Sequence, residues 1–505
     1  MSFSVLEAAR LAPDGVGLLV DGHAWTWREL ARRTRGAMRW LEARGLSTAV
    51  AVAEPEADAI AMATQGSEAA PRVALVARPE PDAVVALLAL VELGLPAVLL
   101  PPRLPIEERG RLIAQAAPAL VLDGAALNEM ATEPLPADDS QPAAADPAHR
   151  QGLVPDDDRC LAVLFTSGTT GAPRGVVLSR AAFAAAADAS HANLGFLDDD
   201  RWLLALPFAH VGGLSVILRC LRARRTLVLA TPSAGPSPAS SPEALLAVIA
   251  RDRVTLLSLV PTQLHRLVDL APPSPAPSHL RAILVGGAAA SPALLARAAE
   301  RGLPALTTYG MTETCAQVAT QRPGTIPGGD LGVGPPLAGA IVRILDGSGA
   351  IAVRSPALLT TYLDGAPPLT PDGFFITRDV GALDEHGNLH VLGRLDDVIT
   401  SGGEKVHPVE VEQHLEQIPG IAAACVFGVP DDEWGERIAA ALVSTSGVAL
   451  PDALDLDELR ERLAPFKRPR EVAWLSALPL HPTGKLDRRA AASSARDRLR
   501  PLRRG

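Results

Sequence analysis

A run of small and hydroxylated residues interrupts a strand-like segment at 164–175, LFTSGTTGAPRG. After Phe165 come Thr166, Ser167, Gly168, Thr169, Thr170 and Gly171. Glycines let successive backbone N–H groups turn toward one point and hydroxyls add donors, which is the chemistry of a phosphate cradle. It is not the nucleotide loop G-x-x-x-x-G-K-[ST], whose spacing and ending differ, and taken alone an ordinary Gly/Thr turn explains it equally well. Other chemistry-bearing stretches follow in order. They are TTYGMTET (307–314) with Glu313, TRDVG (377–381) with Asp379, GRLDDVITSGGEKVHP (393–408), and PTGKLDR (482–488) with Lys485. Of 47 basic residues only Lys405, Lys467 and Lys485 are lysines. With so many arginines available, a retained lysine can mark a place where a compact ammonium is needed, although three survivors also fit chance.

Alternating elements must position these groups. RVALVA (72–77) reads as a strand, and AVVALLALVELGLPAVLLPP (83–102) as a buried helix, a turn and a strand, giving a β-α-β unit. Glu92, Gly94 and Pro96 break that segment too often for it to span a bilayer. Thr26 and Glu29 have capping-box spacing before an amphipathic helix ended by Gly45. LAVLF (161–165), TLVLA (226–230), TLLSLV (255–260) and AILVGG (282–287) continue the alternation, predicting a mixed α/β fold with parallel-rich sheets. Residues 134–151 and 231–242 are Pro/Ala/Ser-rich and read as surface loops. Beyond about residue 340 short strands with turn signals take over, and a compact strand-and-helix unit closes the chain.

At 505 residues, 48% hydrophobic and 21% charged, the chain is globular and long enough for two domains. A net charge of −10 argues against a general nucleic-acid binder. Four scattered cysteines and an N-terminus without a basic start and apolar run point to a reducing, cytoplasmic setting.

The five ordered motifs together resemble the adenylate-forming acyl-CoA synthetase superfamily, over nearly the whole chain. The resemblance implies a large N-terminal adenylation domain, 1–395, and a small mobile α+β C-terminal domain, 396–505. It implies ATP, Mg²⁺ and coenzyme A, a small carboxylic acid as substrate, no nucleic acid and no membrane span; a homo-oligomer stays open. Thr166 to Gly171 would hold the β- and γ-phosphates, with Arg174 standing where the family usually has Lys. Tyr309 would stack on adenine beside Gly310, Thr312 would donate to the α-phosphate, and Glu313 would bind magnesium. Gly286, Gly287 and Ala288 would border adenine and the acyl pocket, with Gly287 touching the acid. Asp379 would bind the ribose hydroxyls, although Arg378 replaces the usual Gly before it and could crowd the ribose or add a phosphate contact. Arg394 would be a second nucleotide contact and Asp396 the hinge. Gly402 and Gly403 would line the coenzyme A channel, and Lys485 would reach the forming acyl-phosphate bond. Lys405 and Lys467 carry no firm chemical role.

For the acid, RWLLALPFAHVGGLSVILRCL (201–221), VTLLSLVPTQLHRLVD (254–269), 309–320 and GVGPPLAGAIVRI (332–344) resemble the o-succinylbenzoate–CoA ligases of menaquinone synthesis. That group often has a Leu-Phe pair before the His, where this chain has Phe-Ala before His210. His210 would gate or contact the acid and take part in catalysis, and Gly212–Gly213 would leave room for an aromatic ring. Arg219 would meet the ring carboxylate of this dianion, a helix-surface arginine being the competing explanation. Thr262, Gln263, His265 and Gln317 are further pocket candidates, Gln317 as a donor, and Cys315 reads as a packing residue. An aryl- or medium-chain acyl-CoA ligase is the nearest alternative. An amino-acid-activating domain and a non-catalytic ATP-binding regulator on the same fold stand further off.

Overall fold

The computed structural model describes residues 2–46, 70–135, 157–166, 173–232, 241–270, 277–325, 332–445, 462–480 and 486–502, with 238 and 459. The strands Val73–Val76, Ala97–Leu100 and Cys160–Thr166 pair in parallel, with Leu120–Leu122 parallel on the outer side. Arg174–Ser179 and Thr361–Tyr362 extend the sheet antiparallel at its other edge. The first two strands are buried at every position, as continuous Val/Leu/Ala runs require when both faces of a parallel sheet are covered.

The helix Pro81–Leu93 is buried along most of its length, with Pro at its start and Gly94 in the left-handed conformation at its end. Proline suits a first turn whose N–H has no intrahelical partner, and glycine adopts the positive φ without strain. Near that end, the carbonyl of Val91 accepts from Nη1 of Arg180 at 3.0 Å. The helix Trp27–Glu42 begins at Thr26, whose hydroxyl accepts from the amide of Glu29. Glu29 itself pairs forward with Arg33 at 3.2 Å, so the reciprocal arm of the expected capping box is spent on an ion pair.

An eight-stranded sheet carries the second layer. Its neighbours Ala305–Tyr309, Ala282–Val285, Leu256–Leu259, Arg201–Leu203, Thr226–Leu229 and Val16–Val20 all run parallel, and short antiparallel strands form both edges. Two buried clusters pack against these sheets. A four-stranded antiparallel sheet follows, made of Ile341–Ile344, Ala350–Arg354, Phe375–Leu383 and Leu389–Arg394. From Ile399 onward two further clusters contain no core residue from earlier in the chain, and they pack on a sheet centred on the hairpin Ile421–Asp431 and Gly435–Ser444. The mixed α/β reading and the six expected strands therefore hold. Of the two expected surface loops, 136–151 and most of 231–242 lie outside the described residues. No helix among the described residues is long and apolar enough to cross a membrane.

Candidate active site

Four neighbouring parallel strands of the large sheet end side by side, and the candidate residues follow directly. Gly310 follows Tyr309, Gly286 and Gly287 follow Val285, and Thr262 sits one turn beyond Leu259. His210 starts the helix after Leu203. The carboxyl edge of a parallel sheet is where ligands bind in open α/β folds, and helices starting there present unpaired N–H groups to an anion. The helices Val211–Ala223, Pro261–Asp269 and Pro292–Glu300 all start on this edge.

Two glycines are dictated by close approach. A Cβ on Gly310 would lie 1.6 Å from the carbonyl oxygen of Ala316, because the chain folds straight back after Tyr309. Cys315 and Ala316 complete this turn at positive φ, a strained conformation for side-chain-bearing residues. A Cβ on Gly213 would lie 2.4 Å from the carbonyl of Pro207. Gly213 thus serves the packing of its helix on the preceding turn, and not the clearance for a ring that its type suggested.

The hydroxyl of Tyr309 donates to Asp379 at 2.8 Å. Burial, and then the adjacent carboxylate, raise the phenol well above its ordinary pKa, so it stays a donor. Asp379 and Arg394 are direct cross-strand partners, and their side chains meet at 3.4 Å. A carboxylate has about four acceptor sites, leaving room for two ribose hydroxyls beside Tyr309 and Arg394. Glu313 lies in the single 3-10 turn Thr312–Thr314 and accepts from the hydroxyl of Tyr362 at 3.1 Å. Among the described residues no group of three or more His, Cys, Asp or Glu side chains could cage a metal. That donor set fits a hard cation held by one carboxylate together with nucleotide phosphates and water.

Thr166 ends its strand opposite Arg174, while Ser167, Gly168, Thr169, Thr170 and Gly171 lie outside the described residues, as does Lys485. Arg174 was expected to meet phosphate. Here its guanidinium is engaged by Asp364 through Nε and Nη2, at 3.0 and 2.8 Å, and stacks 3.7 Å from the ring centre of Tyr362.

Arg219 is the group that sequence reasoning placed least securely. It is 3% exposed, its Nε and Nη2 have no hydrogen-bond partner, and burial pushes its pKa down to about 10. The competing idea of a helix-surface arginine is therefore excluded. Ser215 Oγ, one helical turn earlier, and Oε1 of Gln317 are also buried and unpartnered. The amide nitrogen of Gln317 is committed to Thr308 and Thr320, so Gln317 offers an acceptor where a donor was expected. Burial raises the thiols of Cys220 and Cys315 beside Arg219, which suits packing residues and not nucleophiles. His265 pairs with Asp269, and Gln263 accepts from the amide of Val260, so both serve their own helix.

Arg378 does not crowd Asp379. Alternation along its strand puts it on the opposite face from Asp379, where it donates to Asp396 at 2.6 Å. The next residue, Asp397, lies 3.5 Å from Arg488, which is buried against Glu412 of the C-terminal unit. Gly402 and Gly403, both at positive φ, form the two-residue turn of the hairpin Ile399–Ser401 and Glu404–Val406. A cavity of about 590 Å³ separates this hairpin from the turn 345–349, with Lys405 and His407 on its wall. Lys467 is a structural residue, its ammonium held by both oxygens of Glu410 at 2.6 and 2.8 Å.

Comparison with known proteins agrees with this arrangement. Residues 54–363 match the family model of the AMP-binding enzymes, and residues 410–485 that of the AMP-binding enzyme C-terminal domain. The 2-succinylbenzoate–CoA ligase of Bacillus licheniformis is 32% identical, over 95% of this chain and 97% of its own length. That of Bacillus pumilus is 30% identical over 96% of each. The o-succinylbenzoate CoA synthetase of Bacillus subtilis, solved with its acyl-adenylate intermediate, superposes with a TM-score of 0.79 at 28% identity, covering 97% of both chains. ATP-bound MatB from Rhodopseudomonas palustris gives 0.81 at 26% identity, over 98% of this chain and 99% of its own. With a family model over more than half its length and relatives matched end to end, the chain belongs to the AMP-binding enzyme family.

Proposed function

We propose that this chain is an AMP-forming ligase joining o-succinylbenzoate to coenzyme A. Arg219 carries the choice of acid. A buried guanidinium lacking partners on two of its nitrogens is costly unless an anion enters beside it, and a fatty or simple aromatic acid activated through its only carboxylate brings none. A succinylbenzoate dianion activates its aliphatic carboxylate and leaves the ring carboxylate for Arg219. The ligases of this acid at 30–32% identity support the same reading.

In the first step a carboxylate oxygen attacks the α-phosphorus of ATP, and the bond to the bridging oxygen of pyrophosphate breaks. Magnesium held by Glu313 would neutralise phosphate charge. Thr166 to Gly171, Thr312 and Lys485 would hold the phosphates and the approaching carboxylate. Tyr309, Gly286, Gly287 and Ala288 would frame adenine, and Asp379 with Arg394 the ribose. His210 and Thr262 would border the acid. In the second step the coenzyme A sulfur attacks the acyl carbon and AMP departs with its oxygen. The hairpin tip Gly402–Gly403 would admit the thiol arm after the C-terminal domain, 396–505, turns about Asp396. The described cysteines are free, which fits a cytoplasmic enzyme. Acid-dependent pyrophosphate exchange across a panel of acids tests this reading. Exchange is expected with o-succinylbenzoate, and clear exchange with benzoates or fatty acids in its absence would overturn it.

A further inference from the structure

The chain contains two tyrosines, and each donates to a carboxylate of the nucleotide site: Tyr309 to Asp379 and Tyr362 to Glu313. Tyr362 belongs to none of the motifs that carry the chemistry. It is 6% exposed and lies in the two-residue strand Thr361–Tyr362, paired with Val176 and Val177 just beyond the phosphate loop. The amides of Thr360 and Leu363 donate to the carbonyls of Val177 and Gly175, at 3.0 and 2.8 Å. One residue earlier in the same segment, the amide of Leu359 donates to the carbonyl of Glu313 at 2.8 Å. Residues 359–363 are thus stitched to the exit of the phosphate loop on one side and to the 3-10 turn on the other.

We propose that Tyr362 is the positioning residue for Glu313: it holds one carboxylate oxygen so that the other faces the divalent cation of bound ATP, while Arg174 and Asp364 fix the tyrosine ring. This rests on the reading of Glu313 as the cation's ligand. A glutamate side chain has three torsions to restrain, and a neutral donor restrains them without cancelling the charge the cation needs. A lysine or arginine in that place would compete with the metal.

The same geometry explains a guanidinium at position 174. Arg174 grips Asp364 through two nitrogens while its guanidinium carbon sits 3.7 Å from the centre of the Tyr362 ring, and an ammonium cannot do both. An arginine where the family usually has Lys thus has a local structural use. Gly175 completes the arrangement, since a Cβ there would lie 2.5 Å from Leu363.

The test is ATP binding by titration calorimetry at a series of Mg²⁺ concentrations, with AMP binding in metal-free buffer as control. Tyr362→Phe should raise the Mg²⁺ concentration for half-maximal ATP binding roughly tenfold and leave AMP affinity unchanged, since a hydrogen bond to a charged group is lost. Arg174→Lys should shift it in the same direction by a smaller factor. In a Glu313→Gln background, Tyr362→Phe should add nothing further. An unchanged Mg²⁺ requirement in Tyr362→Phe, or an equal loss of AMP binding, overturns the proposal. Should Glu313→Gln itself leave the requirement intact, the ligand assignment fails first. Neither result depends on which acid the enzyme uses.

Discussion

Replacing Arg219 by Met should make the ligand-free protein more stable and its preferred reaction much slower. The guanidinium has its pKa lowered to about 10 by burial. At about 1.4 kcal/mol per pKa unit, its desolvation costs on the order of 3 kcal/mol. The sign follows from linkage. Below about pH 10 the group is protonated in both the folded and unfolded chain, so the cost is present in full at neutral pH. It is relieved only as pH rises from there toward the ordinary value. Against this gain stands the loss of the contact with Trp202, whose ring centre is 5.5 Å from the guanidinium carbon. A contact of that kind contributes roughly 0.5–2 kcal/mol. Arg219→Met should therefore raise stability by about 1–2 kcal/mol, read in a chain of this length as an increase of about 1–2 °C in Tm. Removing one partner of a desolvated charge pair costs roughly 2–5 kcal/mol, so kcat/KM for o-succinylbenzoate should fall by about 30-fold or more. Activity toward a monocarboxylic acid of similar size should fall far less. Differential scanning calorimetry and coupled pyrophosphate release measure the two arms. A variant that melts below the wild type while turning over o-succinylbenzoate undiminished would refute the reasoning.

Other perturbations reach different parts of the structure. Arg378→Gly removes the pair with Asp396, which is exposed enough to contribute about 1 kcal/mol or less. Single-turnover kinetics should show the adenylation and thioester steps changing in unequal proportion, by a few-fold, with the wild-type ratio the more sensitive to salt. Burial raises the Glu416 carboxyl to about pKa 7. A raised carboxyl pKa weakens the fold as pH climbs from the unfolded value through the folded one, by roughly 3 kcal/mol in total. Glu416→Gln should remove most of that loss, so denaturation midpoints at pH 5 and pH 8 should differ less in the variant. Gly310→Ala places a methyl against the Ala316 carbonyl and should abolish nucleotide binding measured by calorimetry or prevent folding. Asp200 is held by Thr255 at 2.7 Å and by Arg281. Asp200→Asn should cost about 3 kcal/mol in urea denaturation, because it leaves Arg281 without its counter-charge.

Much of the frame was legible because its signals are local. Val73–Val76 and Ala97–Leu100 announce themselves by unbroken apolar runs, and Pro81–Leu93 by its bracketing proline and glycine. The candidate site was legible where a motif is contiguous, as at Tyr309–Glu313. It was illegible where partners are far apart: Tyr362 meets Glu313 across 49 positions and Arg174 meets Asp364 across 190. Periodicity and spacing carry no information about such pairs, although the scarcity of tyrosine was a usable signal. Arg378 went astray for a related reason, since its type suggested a ligand contact and only the strand's alternation shows which face it takes. Gly213 shows that a glycine's type does not reveal whether the space it leaves belongs to a ligand or to the backbone next door.

The arginine near the end of the deeply buried helix also bears on how the chain is made. Arg180, which satisfies the carbonyl of Val91, lies 89 positions downstream. At a ribosomal pace of about 5–20 residues per second, roughly 5–20 s pass before it is even synthesised. During that interval an almost wholly apolar helix has its first neighbours but lacks this bond, and the later sheet that covers it does not yet exist. Translation speed between these two points, and chaperone occupancy of the nascent chain there, should therefore influence the yield of folded protein.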